Sequence, residues 1–258
     1  DCAQSFDVRW QGNLVAAHGD AAILAFGIGK AMTALFGGAL LTNRRDIAQT
    51  VQNYRDHSFR SSSMAHSLGR LAYFAASWLA VNGFGVNATD FVERLGALNA
   101  FRSRESIRLP NDNSVLMPRC QAAMGNAQLP RLPAFIKRRK EISAIYERAL
   151  HDACGVRLPA WHEGATHTIY TLRLDEALRR TDMLNQLRRR GVQGGTVLDY
   201  VVPDLECYRE RGNADDFPNA RAWARRALNL PNHPTLSDAQ VEQCASALRR
   251  ALAASQSR

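Results

Sequence analysis

Lysine is rare in this sequence, and one lysine stands where amine chemistry is expected. Among 33 basic residues, only Lys30, Lys137 and Lys140 are lysines. Lys30 follows an apolar run and closes the glycine-rich segment Gly27–Lys30. Arginine stays protonated, whereas lysine can be desolvated into a reactive amine. The position therefore predicts an amine nucleophile, and the alternative is a lysine whose stem packs while its head group reaches water.

A phosphate-binding loop is the first competing interpretation of this glycine-rich segment. Such a loop requires a glycine five residues before Gly29 and a serine or threonine after the lysine. The sequence has Leu24 and Ala31 at these two positions. Lys30 is therefore not predicted to be the lysine of a P-loop.

Metal-binding and nucleophile motifs are weak elsewhere in the chain. His162 and His167 flank Glu163, but Pro159 and Gly164 predict a surface loop and not a helix that would hold a zinc site. The five cysteines show no CxxC spacing, which argues against a zinc ribbon and a disulfide framework. We expect no metal site and a reducing, cytoplasmic location.

The formal net charge of +9 comes mainly from arginine clusters in helical patterns. Such clusters usually form solvated helix faces, and attraction of a polyanion such as a nucleotide diphosphate is the alternative. No basic motif interleaved with aromatics is present, so no nucleic-acid partner is expected. Residues 68–86 are apolar but contain Arg70, which predicts a buried or half-buried helix and turn, not a membrane span. The clusters are Arg138-Arg139-Lys140, Arg188-Arg189-Arg190, Arg225-Arg226 and Arg249-Arg250.

Two short strands must position Lys30. Residues 21–26 and 38–43 are apolar runs beside glycines, and both predict buried strands. Helical periodicity follows at about 44–57, 64–82 and 88–99, with a polar loop at 102–114. A long helix begins near Pro118 and is interrupted at Pro130 and Pro133.

The character of the sequence changes beyond Gly155. Residues 166–174 alternate like a strand, residues 182–191 predict a helix closed by Gly191, and Ser237 has the capping-box spacing of a last helix. The order predicts a large α/β domain over 1–151 with a helical insertion at about 58–105. A small α+β domain over 152–258 is expected to follow.

Three blocks of residues resemble one enzyme family in type, order and spacing. They are similar to the DegT/DnrJ/StrS-type aminotransferases, which are fold-type-I pyridoxal-phosphate enzymes, many of them acting on nucleotide-linked keto-sugars. The blocks are Asp1-Cys2-Ala3-Gln4 with Gly19-Asp20-Ala21-Ala22, Lys30 and Gly37-Gly38-Ala39-Leu40-Leu41-Thr42; then Gln121-Ala122-Ala123-Met124-Gly125 with Gln128-Leu129, Arg138-Arg139 and Tyr146; and Leu230-Pro231-Asn232-His233-Pro234-Thr235-Leu236-Ser237.

The resemblance implies a three-layer α/β/α large domain with a mostly parallel sheet, and a homodimer with sites at its interface. Lys30 would form the Schiff base with pyridoxal phosphate and then move a proton. Asp1 would pair with the pyridine nitrogen, and Gln4 would lie near the phenolic oxygen. Asn113 is expected to take the position that reaches the partner subunit's cofactor. The amino donor would be glutamate or glutamine, and the acceptor a keto-sugar.

The sequence also departs from the family pattern. Ala25 stands where members have a serine that binds the cofactor phosphate, and Ser114 and Leu116 stand where members have asparagine and arginine. Asp199-Tyr200 stands where members have a histidine ahead of a Tyr-Pro element near the sugar. Members carry a long segment ahead of the position of Asp1, so we expect an upstream part. The alternative function is a truncated or degenerate non-catalytic homologue; a dehydratase is disfavoured, because such members replace the lysine with histidine.

Overall fold

A computed structural model describes residues 1–81, 112–196, 200–205, 208 and 216–256. The chain divides into two compact units, Asp1–Leu132 and Pro133–Arg258. The domain boundary predicted after residue 151 lies inside the second unit, just beyond the end of a helix. That boundary stays a prediction.

The strands of the first unit form two antiparallel pairs. Parallel pairing among the described residues is limited to a bridge between Arg60 and Val115. The predicted strands on either side of Lys30 are present and pair with each other. The first pair is β1 (Arg9–Trp10) with β2 (Asn13–Leu14), and the second is β3 (Ala22–Ala25) with β4 (Gly38–Leu41).

Burial of β3 and β4 differs from the expectation of two buried strands. Ala22 and Leu24 are buried with Cys2, whereas Ile23 between them is 56% exposed. This alternation follows from the two-residue repeat of a strand, which places neighbours on opposite faces. Strand β4 has no buried residue, and Leu41 is 46% exposed. The expectation of burial is therefore wrong for β4 and holds for only one face of β3.

The helices of the first unit follow the predicted periodicity. The patterns at 44–57 and 64–82 are confirmed as helices, while the pattern at 88–99 and nearly all of the 102–114 loop lie outside the described residues. The expected interruption at Pro130 is confirmed, because a 3₁₀ turn separates two helices there, whereas Pro133 lies in the first turn of the second helix. The helices are α1 (Arg45–Ser58), α2 (Met64–Val81) and α3 (Arg119–Gln128), with 3₁₀ turns at Val15–Ala17 and Leu129–Arg131.

The second unit is a three-stranded antiparallel sheet with helices. The strand order is β5-β6-β7. The strand predicted at 166–174 and the helix at 182–191 are present with slightly different ends. The elements are α4 (Leu132–Leu150), β5 (Val156–Arg157), β6 (Tyr170–Leu174), α5 (Arg180–Arg189), a 3₁₀ turn at Val202–Asp204, α6 (Pro218–Arg226), β7 (Ala227–Leu230) and α7 (Asp238–Gln256).

The main hydrophobic core lies in this second unit. Alternate residues of β6 and the apolar sides of α4, α5 and α7 are fully buried in it. The capping box that begins α7 is confirmed: Gln240 N–H donates to Ser237 Oγ at 3.3 Å, and Ser237 N–H donates to Gln240 Oε1 at 2.9 Å. In the part of the chain that the structure describes, no helix is both long and apolar enough to cross a membrane.

A buried polar network joins two of the sequence blocks inside this unit. Arg139 is only 7% exposed, and its Nη1 donates to the carbonyl oxygens of Thr168 at 2.8 Å and Asn232 at 2.6 Å. Asn232 Nδ2 donates to the carbonyl of His167 at 2.7 Å and to Ser143 Oγ at 3.2 Å. The Arg138-Arg139-Lys140 cluster was expected to be a solvated face. This expectation is wrong for Arg139, which is buried and donates to backbone carbonyl oxygens instead of to water.

Candidate functional site

Lys30 lies on the loop that connects β3 to β4. The base of the loop is closed by the Phe26 N–H, which donates to the Gly37 carbonyl at 2.9 Å. The Phe26 carbonyl accepts in turn from the Ala34 N–H at 2.9 Å. These bonds fold the loop back on the end of β3, so that Lys30 stands at its tip.

The local backbone of Lys30 is a tight turn that glycine makes possible. Lys30 N–H donates to the Gly27 carbonyl at 3.2 Å, and Gly29 has a φ of +87°, a left-handed conformation that residues with a Cβ seldom adopt. Lys30 itself is half-buried, while Ala31 and Met32 after it are buried. The apolar side of the turn anchors the loop, and the lysine remains accessible.

Two glutamines of α3 hold this loop in place. Gln128 Oε1 accepts from the Thr33 N–H at 3.2 Å, and its Nε2 donates to the Thr33 carbonyl at 2.6 Å. Gln121 is buried, and its Nε2 donates to the Ala34 carbonyl at 2.5 Å and the Phe36 carbonyl at 3.5 Å. Both glutamines belong to the residues that resemble the family, but the resemblance assigned no role to either of them. Gln121 and Gln128 are two helical turns apart and therefore lie on one face of α3. This spacing was the signal in the sequence that both side chains contact the same neighbouring segment.

Asp1 and Gln4 lie on a segment bound to the same strand. Cys2 N–H donates to the Ile23 carbonyl at 2.8 Å, which attaches the segment to β3. Asp1 Oδ1 accepts from the Ala3 N–H at 2.8 Å, and both Asp1 and Gln4 are exposed. Strand β3 therefore binds the Asp1 segment at Ile23 and leads into the lysine loop at its end.

Asn113 lines a cavity of about 710 Å³ in the first unit. The cavity also touches Phe36, Gly37 and Gly38, where the lysine loop returns to β4. Lys30, Asp1 and Gln4 are not among its lining residues. The structure thus brings Asn113 to the far end of the lysine loop but not to Lys30. The remaining lining residues are Arg55, Asp56, Phe59, His66, Arg70, Asp112, Val115, Leu116, Met117, Pro118 and Gln121.

One wall of this cavity is an ion cluster that sequence reasoning missed. Arg70 Nη2 donates to the carboxylate of Asp112, and its Nε donates to His66 Nε2 at 3.0 Å. The guanidinium lies 4.2 Å from the centroid of the Phe36 ring, within the range of a cation–π contact. The spacing of His66 and Arg70, one turn apart on α2, was the available signal.

The described residues fit one end of pyridoxal phosphate better than the other. The half-buried amine of Lys30 suits the aldehyde end, and the Asp1 carboxylate, whose one described bond is to a backbone N–H, suits the ring nitrogen. Within β3 and its loop, Ala25 has no hydroxyl and the Thr33 hydroxyl donates to the Phe26 carbonyl at 3.1 Å. No free hydroxyl for the phosphate end is therefore found in this described stretch.

A model of a known protein family matches this sequence. It is the model of the DegT/DnrJ/EryC1/StrS aminotransferase family, and it matches residues 1–249. The match covers both compact units.

Individual relatives agree with the family match. The dTDP-4-dehydro-2,3,6-trideoxy-D-glucose 4-aminotransferase of Saccharopolyspora spinosa is 36% identical over 138 residues, which are 51% of this chain and 34% of that protein. The spore coat polysaccharide biosynthesis protein SpsC of Bacillus subtilis is 25% identical over 257 residues, 96% of this chain and 58% of that protein. The chain thus spans at most 58% of the length of these two relatives.

A solved structure confirms the predicted fold class. The aminotransferase TlmJ from Streptoalloteichus hindustanus superposes with a TM-score of 0.69 and 24% identity, over 98% of this chain and 58% of that one. The two units therefore adopt the fold of the fold-type-I enzymes.

Proposed function

The chain belongs to the DegT/DnrJ/EryC1/StrS aminotransferase family, and from this premise we propose that it acts in a pyridoxal-phosphate-dependent sugar aminotransferase. The amino group passes from an amino acid, glutamate or glutamine, to a nucleotide-linked keto-sugar. The name of the Saccharopolyspora spinosa relative, which specifies a dTDP-linked dehydro-sugar, supports the class of acceptor.

The observation that carries this proposal is the setting of Lys30. Its loop is closed at the base, anchored by buried apolar residues and held by Gln121 and Gln128. Among the described residues no carboxylate pairs with Lys30, so its amine is not committed to an ion pair. A positioned amine that is not committed to an ion pair, on a loop held by hydrogen bonds, is what covalent amine catalysis requires.

Each proposed site residue has one task in this scheme. Bound pyridoxal phosphate supplies an electron sink at the substrate carbon. Lys30 would hold the cofactor covalently through Nζ and, as a free amine, would move the proton of the substrate carbon. The Asp1 carboxylate would pair with the ring nitrogen and keep it protonated, because an adjacent negative charge favours the protonated form. Gln4 would contact the phenolic oxygen of the cofactor.

The proposed enzyme is a cytoplasmic homodimer. Asn113 is proposed to reach the cofactor of the partner subunit, and the support is its exposure on a cavity wall together with the resemblance of the preceding blocks. The four described cysteines are free thiols, which supports a reducing compartment.

The proposal is tested by the absorbance of the purified 258-residue chain after incubation with pyridoxal phosphate. We expect a band near the visible edge that borohydride removes, and a reduced adduct on the peptide containing Lys30 by mass spectrometry. Lys30→Ala should lose the band and the adduct. Lys137→Ala is the matched control, because Lys137 is an exposed lysine and the variant should retain both. A band of unchanged intensity in Lys30→Ala would refute the role of Lys30.

A second candidate is a non-catalytic homologue that keeps the fold. The hydroxyl missing at Ala25 and the committed hydroxyl of Thr33 favour it, because both weaken the hold on the cofactor phosphate. In that case the wild-type chain would show no borohydride-sensitive band at saturating cofactor. Ala25→Ser, which restores a hydroxyl at the end of β3, would then be expected to produce one.

A further inference from the structure

The lysine loop returns to β4 through a strained backbone. Leu35 has a φ of +71°, in the left-handed region that residues with a side chain seldom adopt. Its side chain is buried, and its N–H donates to Thr33 Oγ1 at 2.9 Å. A strained residue of this kind persists only where the surrounding structure holds it. The residues on either side of Leu35 are therefore the places where the loop must be held.

The residue that follows Leu35 is held by helix α2. The Arg70 guanidinium carbon lies 4.2 Å from the centroid of the Phe36 ring, and the Tyr73 ring lies 5.2 Å from the same ring. Arg70 and Tyr73 are three positions apart on α2, so both lie on the helix face that meets the loop. Helix α3 holds the residues before Leu35, and α2 holds the residue after it.

The guanidinium that meets the Phe36 ring is itself fixed. Arg70 Nη2 donates to the Asp112 carboxylate, and Arg70 Nε donates to His66 Nε2 at 3.0 Å. The Arg70 side chain is only 19% exposed, whereas that of Arg44, which belongs to a surface ion pair, is 53% exposed. A group that is already ordered loses little further freedom when it makes a contact. The Phe36 ring therefore meets a cation that its other partners keep in place.

We propose that Arg70 is a positioning residue for Lys30. Through the Phe36 ring it keeps the end of the lysine loop closed, and it thereby keeps the lysine at the tip in one place. This proposal deepens the proposed aminotransferase function and rests on it for the role of Lys30. Helix α2 lies within the helical insertion predicted at about 58–105, so the proposal gives that insertion a task at the active site.

The strength of the contact sets the expected size of the effect. A cation–π contact at a partly buried place shifts the equilibrium between a held and a released loop by about two- to thirtyfold. Release breaks the bonds in which the Lys30 N–H donates to the Gly27 carbonyl at 3.2 Å and the Ala34 N–H to the Phe26 carbonyl at 2.9 Å. Amide hydrogen exchange at these two N–H groups therefore measures release of the loop.

Removing the cation tests the proposal on the 258-residue chain without cofactor. Arg70→Met keeps a long apolar side chain and should raise exchange at the Lys30 and Ala34 N–H groups by about two- to thirtyfold, followed by NMR. Arg70→Lys keeps a cation near the ring and should stay closer to the wild type. Circular dichroism verifies that each variant is folded.

Two references show that the effect is local. The Cys2 N–H donates to the Ile23 carbonyl outside the loop, and its exchange should be the same in wild type and Arg70→Met. Arg45→Met is the matched control, because Arg45 is an exposed arginine of α1. This variant should leave exchange of the loop unchanged.

A double-mutant cycle tests whether Arg70 acts through Phe36. Phe36→Leu keeps an apolar side chain but removes the ring, and it should raise exchange at the same two N–H groups. In the Phe36→Leu background, Arg70→Met should add little, because the contact between cation and ring is already lost. A residue that only stabilises the unit in general would have the same effect in both backgrounds.

Cofactor binding relates the loop to Lys30 chemistry. The pyridoxal-phosphate concentration that gives half of the borohydride-sensitive band should rise at least about twofold in Arg70→Met, because a smaller fraction of the chain holds Lys30 in place. Arg70→Lys should reverse most of this rise. A wild-type chain that shows no such band would refute the proposed aminotransferase, while exchange without cofactor would still decide whether Arg70 holds the loop.

Three results would overturn the proposal. These are loop exchange in Arg70→Met that stays within about twofold of the wild type, an effect of Arg70→Met that is equal with and without the Phe36 ring, and cofactor binding by Arg70→Met that equals that of the wild type. Should Arg70→Met not fold, unchanged loop exchange in Phe36→Leu would overturn it alone.

Discussion

The side-chain amide of Gln128 binds both backbone groups of Thr33, accepting from its N–H at 3.2 Å and donating to its carbonyl at 2.6 Å. It pairs with the loop as the backbone of a neighbouring strand would. Gln121 adds a bond to the Ala34 carbonyl. The loop that carries Lys30 is thus held from the side by helix α3, in addition to the strands at its base.

Removing this clamp should loosen the lysine loop. Gln128→Ala leaves the Thr33 N–H and carbonyl without their partner, which is expected to lower the free energy of unfolding by about 1–3 kcal/mol. It should also weaken pyridoxal-phosphate binding, because the lysine is less well positioned. Urea titration and absorbance titration measure the two effects. Asn126→Ala, an exposed site on the same helix, should change neither.

Gly38 should not tolerate a side chain. A Cβ at this position would lie 2.4 Å from the Leu24 carbonyl oxygen of the paired strand, so β3 and β4 would have to separate. Gly38→Ala is expected to cost about 1–3 kcal/mol in thermal or urea unfolding. Gly69→Ala is the opposite case, because nothing lies within 4 Å of its Cβ position and the helix gains about 0.5–1 kcal/mol. Equal effects of the two substitutions would contradict this account of the hairpin.

Arg139 should not be replaceable by lysine. Its Nη1 bonds two carbonyl oxygens that are far apart in sequence, and burial lowers the pKa of its guanidinium. A lysine ammonium cannot reproduce the planar geometry and is desolvated at the same site. Arg139→Lys is expected to lose about 1.5–3 kcal/mol of unfolding free energy. Arg148→Lys, on the exposed side of the same helix, is expected to change it little.

The stability of the chain should depend on pH through His167. Burial lowers the pKa of this imidazole, with further lowering from the charges of Lys140 and His162. As the pH falls, the imidazole is therefore protonated in the unfolded chain first, at about pH 6.5. The free energy of unfolding decreases as the pH falls below that value. His167→Asn should flatten the slope of unfolding free energy between about pH 5 and 7. Asparagine suits the backbone here, because His167 has a φ of +49°.

A second variant separates titration from packing. Trp161 stacks on His167 with ring centroids 4.6 Å apart. Trp161→Leu removes this contact without removing the titrating group. It should lower the unfolding free energy at every pH and, because the Trp161 ring covers only part of the imidazole, reduce the slope less than His167→Asn does. An unchanged slope in His167→Asn would show that other groups determine the pH dependence.

Local rules made much of the fold predictable. The helix at 44–57 and the capping box at Ser237 follow from side-chain spacing within a few residues, and the structure has both. The strands on either side of Lys30 follow from apolar runs bounded by glycines. The family was also readable from the order of Asp1, Lys30 and the Gln121 block, because such motifs are linear in the chain.

Tertiary structure decided the features that depend on residues far apart in sequence. Thr33 and Gln128 are 95 positions apart, so no local sequence pattern predicts that they pair. Arg139 looked like part of a solvated basic cluster, and only the convergence of Thr168 and Asn232 provides the acceptors that allow its burial. The expectation that residues 68–86 form a buried or half-buried helix is likewise wrong for the described part, where Leu68 is 58% and Leu71 44% exposed, because apolar periodicity specifies a face but not what lies against it. Spacing therefore determined the helices and strands and the predicted role of Lys30, whereas packing determined which distant residues hold the lysine loop in place.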